Sequence, residues 1–221
     1  MNRLSKKLTA VVGAFALAVA GAAVMTNSAI ADHHDKPAKA AVGSKAPDFT
    51  LTSVDGKSYT LSELTKEGKV VVLEWWNPKC PFVVKHHEHA TTMKDLAQKY
   101  KEKGVVWLAI NSTNPDHGNH GVDADYIKKW EVKFPVLLDE SGDVGRMYEA
   151  RTTPHMYIID KNGVLRYQGA IDSDRGARIP SDPSTVTNYV AQALDQILAG
   201  ETVTQPETRP YGCSVKYVGV R

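Results

Sequence analysis

The sequence predicts one α/β domain with a mixed central sheet flanked by helices and led by a β-hairpin. Three observations carry this. Residues 69–76 and 105–110 are nearly continuous apolar runs separated by a helix-length segment, the pattern of neighbouring strands buried on both faces. From residue 69 to 138 strands alternate with helical segments, and such an order folds through right-handed βαβ crossovers. Finally, Asn162-Gly163 joins residues 156–160 to 164–167, and Asn-Gly between apolar runs is a strong hairpin signal.

Each element has its own local reason. Residues 49–52 and 58–61 alternate apolar and polar around Asp55-Gly56 and read as the leading hairpin. Residues 62–66 make a short helical turn. Lys69-Val70-Val71-Val72-Leu73-Glu74-Trp75-Trp76 is a buried central strand, ended by Asn77-Pro78-Lys79. Cys80-Pro81 opens a helix expected to run to about Lys103, because proline suits a first helical position. After the strand at 105–110 comes a long polar loop over 111–122. A helix at 123–131, a strand at 134–138 and a helix at 142–149 follow. The last helix, 184–198, is amphipathic and closed by Gly200. Residues 201–221 contain Pro206 and Pro210 and show no strong periodicity.

The ends divide the chain further. Arg3, Lys6 and Lys7 precede an uncharged Ala/Val-rich run from residue 8 to 25, and Ala29-Ile30-Ala31 offers a small-residue cleavage site. That order is a secretory signal peptide over 1–31, with an uncleaved anchor as the competing reading. The apolar run is marginal in length for a bilayer and is diluted by Gly and Ala, so no stable membrane insertion is expected after cleavage. Residues 32–42 read as a flexible linker, 43–200 as the domain and 201–221 as a tail. The expected location is periplasmic or secreted.

Composition excludes some functions. Charged residues make up 24% of the 221 and hydrophobic ones 42%, with a net charge of +2. No dense basic block or Arg-aromatic interleaving is present, so no nucleic-acid partner is expected. The two cysteines, Cys80 and Cys213, both lie beyond the leader. In an oxidising compartment two cysteines are by default a possible disulfide. A domain of about 180 residues buries enough apolar surface to fold without one.

Cys80 ends a buried strand and begins a helix. Unpaired N–H groups and the helix dipole at such an N-terminus stabilise a thiolate. Lys79 adds positive charge nearby, and Trp75 and Trp76 are placed to shield one side. An inert buried cysteine, or half of a structural disulfide, is the competing reading.

The span from about Val42 to Gly200 resembles the thioredoxin superfamily in its peroxiredoxin-like (redoxin, alkyl hydroperoxide reductase/thiol-specific antioxidant) branch. Gly43-Ser44-Lys45-Ala46-Pro47-Asp48-Phe49 is similar to the opening of redoxin domains. Trp76-Asn77-Pro78-Lys79-Cys80-Pro81 sits at the active-site turn, and Thr153-Pro154 resembles the cis-proline loop. Tyr211-Gly212-Cys213-Ser214-Val215-Lys216 resembles a subgroup ending in Gly-Cys-Ser. The resemblance implies a thioredoxin-like fold and thiol chemistry with Cys80 and Cys213 as catalytic residues. Trp76, Lys79, Pro81, Thr153 and Pro154 support the site, and the cis-proline backbone stays open to a partner chain.

The departures narrow that implication. Val83 stands where thioredoxins keep a second cysteine. Asn77 and Leu73 stand where peroxiredoxins keep a Thr or Ser and a Pro, and their later arginine falls near Pro154, with Arg151 close by but unaligned. The expected mechanism is attack by Cys80 on a peroxide or a protein disulfide. Cys213, on a mobile tail, then resolves the product, and an external thiol reductant resets the pair. No cofactor is expected.

The histidines define an alternative. Asp32-His33-His34 at a cleaved N-terminus would form a square-planar Cu(II)/Ni(II) chelate through His34. His117 and His120 share a loop in His-x-x-His spacing. His86-His87-Glu88-His89 reads as exposed, with His87 on the face of Cys80 but about 10 Å along a regular helix. A thioredoxin-fold copper-binding protein is therefore a second reading, and a non-catalytic domain with a structural Cys80–Cys213 disulfide a third.

Overall fold

The computed structural model describes residues 39–219. The leader at 1–31, the Asp32-His33-His34 end and the linker up to residue 38 lie outside the described residues. Strand β3 (Val70–Trp75) pairs in parallel with β4 (Val105–Asn111), from Val70↔Val105 to Trp75↔Ile110. Strand β5 (Val136–Leu138) continues in parallel beyond β4. Antiparallel to β5 runs β1 (Thr50–Ser53), which carries β2 (Ser58–Thr60) as its hairpin partner. On the other side β7 (Met156–Ile159) is antiparallel to β3, and β8 (Leu165–Gly169) to β7. The seven-stranded order is β2-β1-β5-β4-β3-β7-β8, a mixed sheet.

The unbroken apolar character of β3 follows from covering on both faces. Val70 and Val72 point into one cluster with Met93, Leu96, Tyr100 and Leu194. Val71, Leu73 and Trp75 point into the other with Leu61, Val144 and Tyr148, as the two-residue strand period requires. A third cluster closes the C-terminal end of β3 and joins Trp76, Cys80, Val83, Ala109, Trp130, Val132 and Val136.

The helices are α1 (Leu61–Lys66), α2 (Pro81–Val84), α3 (Thr92–Lys101), α4 (Asp123–Lys129), α5 (Asp143–Met147) and α6 (Tyr189–Leu198). The single helix expected over 80–103 is broken. A π-helical turn, Lys85–His89, follows α2, and Thr91 takes a left-handed conformation at φ 52° before α3 restarts. The wider π turn turns three successive polar side chains, Lys85, His86 and His87, into the interior. The last helix also starts later than expected. Asn188 caps it by accepting from Ala191 N at 2.8 Å, after a separate 3-10 turn at Pro183–Thr185.

The described parts of both flanking segments contact the domain. In the part of the linker described, Ala40 N donates to Met147 O at 2.9 Å, and Ala40 and Val42 pack on the core. The tail is not irregular throughout. Strand β9 (Cys213–Ser214) pairs antiparallel with β6 (Thr152–Thr153) as a second, two-stranded sheet. Among the described residues no helix is long and apolar enough to cross a membrane.

Candidate active site

The turn after β3 is shaped by Asn77. Its Oδ1 accepts from Lys79 N at 3.0 Å, its Nδ2 donates to Thr113 Oγ1 at 3.1 Å, and its carbonyl accepts from Cys80 N at 3.0 Å. Asn77 is buried, so this amide fixes the loop and leaves no hydroxyl where peroxiredoxins carry one. Cys80 is the extended N-cap of α2, with the exposed Pro81 at the first helical position. Cys80 is itself 2% exposed. Val83, fully buried beside it, turns the position of a thioredoxin's second cysteine into core. Lys79 is exposed and donates to Gly118 O at 3.4 Å, so its hydrogen bond goes to the polar loop and not to the sulfur.

The cis-proline loop comes in from the other side. The Thr153–Pro154 bond is cis, and the Cys80 sulfur lies 2.9 Å from the Thr153 carbonyl oxygen. The Thr153 hydroxyl is buried without a hydrogen-bond partner. The resemblance implies a loop backbone open to a partner chain, but the tail fills it. Thr153 pairs with Cys213 and Thr152 with Ser214. This pairing brings Cys213 Sγ to 2.8 Å from Cys80 Sγ. A disulfide needs about 2.05 Å, so bond formation asks for less than about 1 Å of motion. Both cysteines are free thiols. Burial, and then the Cys80 sulfur beside it, push the Cys213 thiol up to about 12.

The described part of the tail is packed on the domain. Tyr211 is buried, and its hydroxyl donates to Asp172 Oδ1 at 2.5 Å. Val215 is buried in the core, and its N–H donates to Arg151 O at 3.1 Å. Gly212 has φ +135°, and a Cβ there would stand 2.0 Å from the Thr153 carbonyl oxygen. The glycine of Gly212-Cys213-Ser214 is thus required by the close approach of two backbones.

Several residues beside the site were missed or misread from sequence. Glu74, fully buried in β3, accepts from His87 Nε2 at 2.7 Å and from Trp107 Nε1 at 2.9 Å. The His87 ring stands edge-on to Trp76, 4.7 Å between centroids, and stacks on Trp130. Trp76 packs with Cys80 and donates to Asp123 Oδ1 at 2.7 Å. Trp75 instead lies in the cluster on the opposite face, bonded to Ser112 Oγ at 3.0 Å. His86 and His87 are buried, not exposed, while Glu88 and His89 remain at the surface. His86 Nε2 is 3.0 Å from the Tyr211 hydroxyl, and burial holds its imidazole down to about 3. Lys85 is 2% exposed and donates to Asp174 Oδ2 at 2.8 Å and to the Asp174 and Gly176 carbonyls. The one legible signal was a glutamate inside an otherwise apolar strand.

The histidine pair of the loop is not convergent. His120 Nε2 pairs with Glu140 Oε1 at 2.7 Å, and His117 Nδ1 accepts from Asn119 N at 3.1 Å. Among the described residues no group of three or more His, Cys, Asp or Glu side chains is arranged to hold a metal ion.

Comparison with known proteins adds to this geometry. The sequence pattern of the AhpC/TSA family matches residues 42–168. The thiol-disulfide oxidoreductase ResA of Bacillus cereus is 31% identical over 131 residues, 59% of this chain and 70% of that protein. An uncharacterized conserved protein from Geobacillus kaustophilus superposes with a TM-score of 0.69 at 32% identity, covering 82% of this chain and 94% of the other. A putative thiol:disulfide interchange protein DsbE from Chlorobium tepidum gives 0.53 at 28% identity, covering 73% and 98%. The fold is the thioredoxin-like α/β fold.

Proposed function

The chain belongs to the AhpC/TSA family, and we propose that it is an exported thiol–disulfide oxidoreductase in which Cys80 is the nucleophile and Cys213 the resolving cysteine. The observation that carries this reading is the 2.8 Å approach of the two sulfurs across the cis-proline loop. The likeness to the ResA protein supports the disulfide as substrate. The basic, apolar and small-residue order of residues 1–31 supports export.

The steps balance as follows. The Cys80 thiolate attacks one sulfur of a client disulfide. The client S–S bond breaks, a mixed disulfide forms, and the other client sulfur leaves as a thiolate and takes a proton. Cys213 loses its proton to solvent and attacks the Cys80 sulfur. The Cys80–Cys213 bond forms and the second client thiol leaves. The client has gained two electrons, which an external thiol reductant must return to the pair.

A peroxide is the second oxidant to consider. It is favoured by the burial of Cys80, which a small molecule meets more easily than a protein does. Cys80 would then break the O–O bond, releasing an alcohol or water and leaving a sulfenic acid. Attack by Cys213 would expel water and give the same disulfide. Turnover of a disulfide and of a peroxide, each with a dithiol reductant, tests both. Cys80→Ser is expected to abolish turnover, and Cys213→Ser to accumulate a mixed disulfide or sulfenate at Cys80. Unchanged turnover in Cys80→Ser would overturn the assignment.

A further inference from the structure

The tail binds the domain in the manner of a docked peptide. Cys213 and Ser214 pair with Thr153 and Thr152, and Val215 N–H continues the pairing onto Arg151 O. Tyr211 and Val215 are buried on either side of the half-buried Cys213, while Ser214 is exposed. Tyr211 is anchored between Phe82, His86 and Asp172. Val215 is anchored in the cluster of Trp75, Val144 and Tyr148. Cys213 lies between them, on Cys80. Main-chain pairing gives such an interface its affinity, and alternate side chains in pockets give it selectivity. With the tail seated, Cys80 is 2% exposed, and a client polypeptide has no route to its sulfur.

We propose that residues 211–215 are a built-in occupant of a peptide groove along β6, and that the groove's partner is a cysteine-bearing peptide with glycine immediately before the cysteine, an aromatic residue two positions before it and an aliphatic one two positions after, which displaces the tail. This deepens the functional reading and rests on it, since the partner's cysteine would take the place of Cys213 beside Cys80.

The test uses the full reduced chain and follows alkylation of Cys80 by N-ethylmaleimide, mapped by peptide mass spectrometry. Gly212→Val drives a side chain into the Thr153 carbonyl and is expected to raise the Cys80 rate about tenfold or more by shifting the tail to its released state. Val215→Ala, which removes an anchor without a clash, is expected to raise it in the same direction. A synthetic peptide spanning residues 209–217, with serine at the cysteine position, is then expected to restore protection of Cys80 in Gly212→Val, and a scrambled peptide is not. Equal Cys80 rates in the wild type and both variants would overturn the proposal, as would a peptide that protects no better than its scrambled form. The peptide carries no thiol, so the outcome does not depend on turnover. Protection without turnover sinks the functional reading alone, and turnover without protection sinks this one alone.

Discussion

Tyr211→Phe removes one oxygen atom from the hinge between tail and domain. The ring keeps its packing against Phe82, so the loss is polar. The Tyr211 O–H donates to Asp172 Oδ1, which leaves the His86 Nε2–H to donate to the Tyr211 oxygen. His86 Nδ1 then accepts from Thr92 Oγ1 at 3.3 Å. Without the oxygen, the buried Nε2–H has no acceptor, an orphaned donor costing about 1–3 kcal/mol. Asp172 keeps the Asp174 N–H at 3.1 Å but loses its shortest donor. Together these come to about 3 kcal/mol. With a urea dependence of about 2 kcal/mol per molar for a domain of this size, the unfolding midpoint of the reduced protein should fall by about 1.5 M. If tail docking is worth less than the penalty, the tail leaves first, and the loss appears as faster alkylation of Cys80 at a smaller midpoint shift. A variant with an unchanged midpoint and an unchanged Cys80 rate would refute the hydrogen-bond chain.

Two further predictions concern the interior. Glu74→Ala leaves the His87 and Trp107 N–H groups buried without an acceptor and should cost about 2–5 kcal/mol by urea unfolding, at about 1–3 kcal/mol per orphaned donor. Glu74→Gln, which keeps an acceptor, should cost less, and a loss below about 1 kcal/mol in Glu74→Ala would contradict the pairing. Acid should destabilise the fold. Burial holds His86 and His155 down to about 3, so below about pH 6.5 the unfolded chain takes up protons that the folded one refuses. Stability is then lost as pH falls towards 3, on the order of 1 kcal/mol per pH unit for each histidine. Burial raises Asp123, Asp139 and Asp172. These bind protons in the fold first and offset part of the loss at the acid end. The urea midpoint should therefore be lower at pH 5 than at pH 7, and equal midpoints would contradict the buried neutral imidazoles.

The sheet was legible because its central strands are covered on both faces, so β3 and β4 read as apolar runs. The Asn162-Gly163 and Asp55-Gly56 turns marked both hairpins for a local reason, the need for positive φ, which Gly56 and Gly163 supply. The segment after Cys80 was not legible. A regular helix puts Lys85, His86 and His87 on different faces. Only a π turn, with partners as distant in sequence as Asp174, Tyr211 and Glu74, lets all three be buried. Periodicity sees a side chain's own element and not the group that will pair with it. The same limit applies to the tail. A two-residue strand with single anchors at Tyr211 and Val215 has no period to detect, and Gly212 makes sense only once the Thr153 carbonyl stands against it. The cysteine pair itself was visible as two residues, while their meeting depended on the β6–β9 register.

The role of that meeting can be measured directly. The reduced full-length chain is mixed with one equivalent of a disulfide-bonded client, quenched by acid, alkylated and mapped by peptide mass spectrometry. The Cys80–Cys213 linked peptide is expected to accumulate in step with the free client thiols, and Cys213→Ser should stop at a client disulfide on Cys80. Client reduction with both cysteines of the chain still open to alkylation, or a linked peptide that forms without any client thiol appearing, would contradict the pair as the site of exchange.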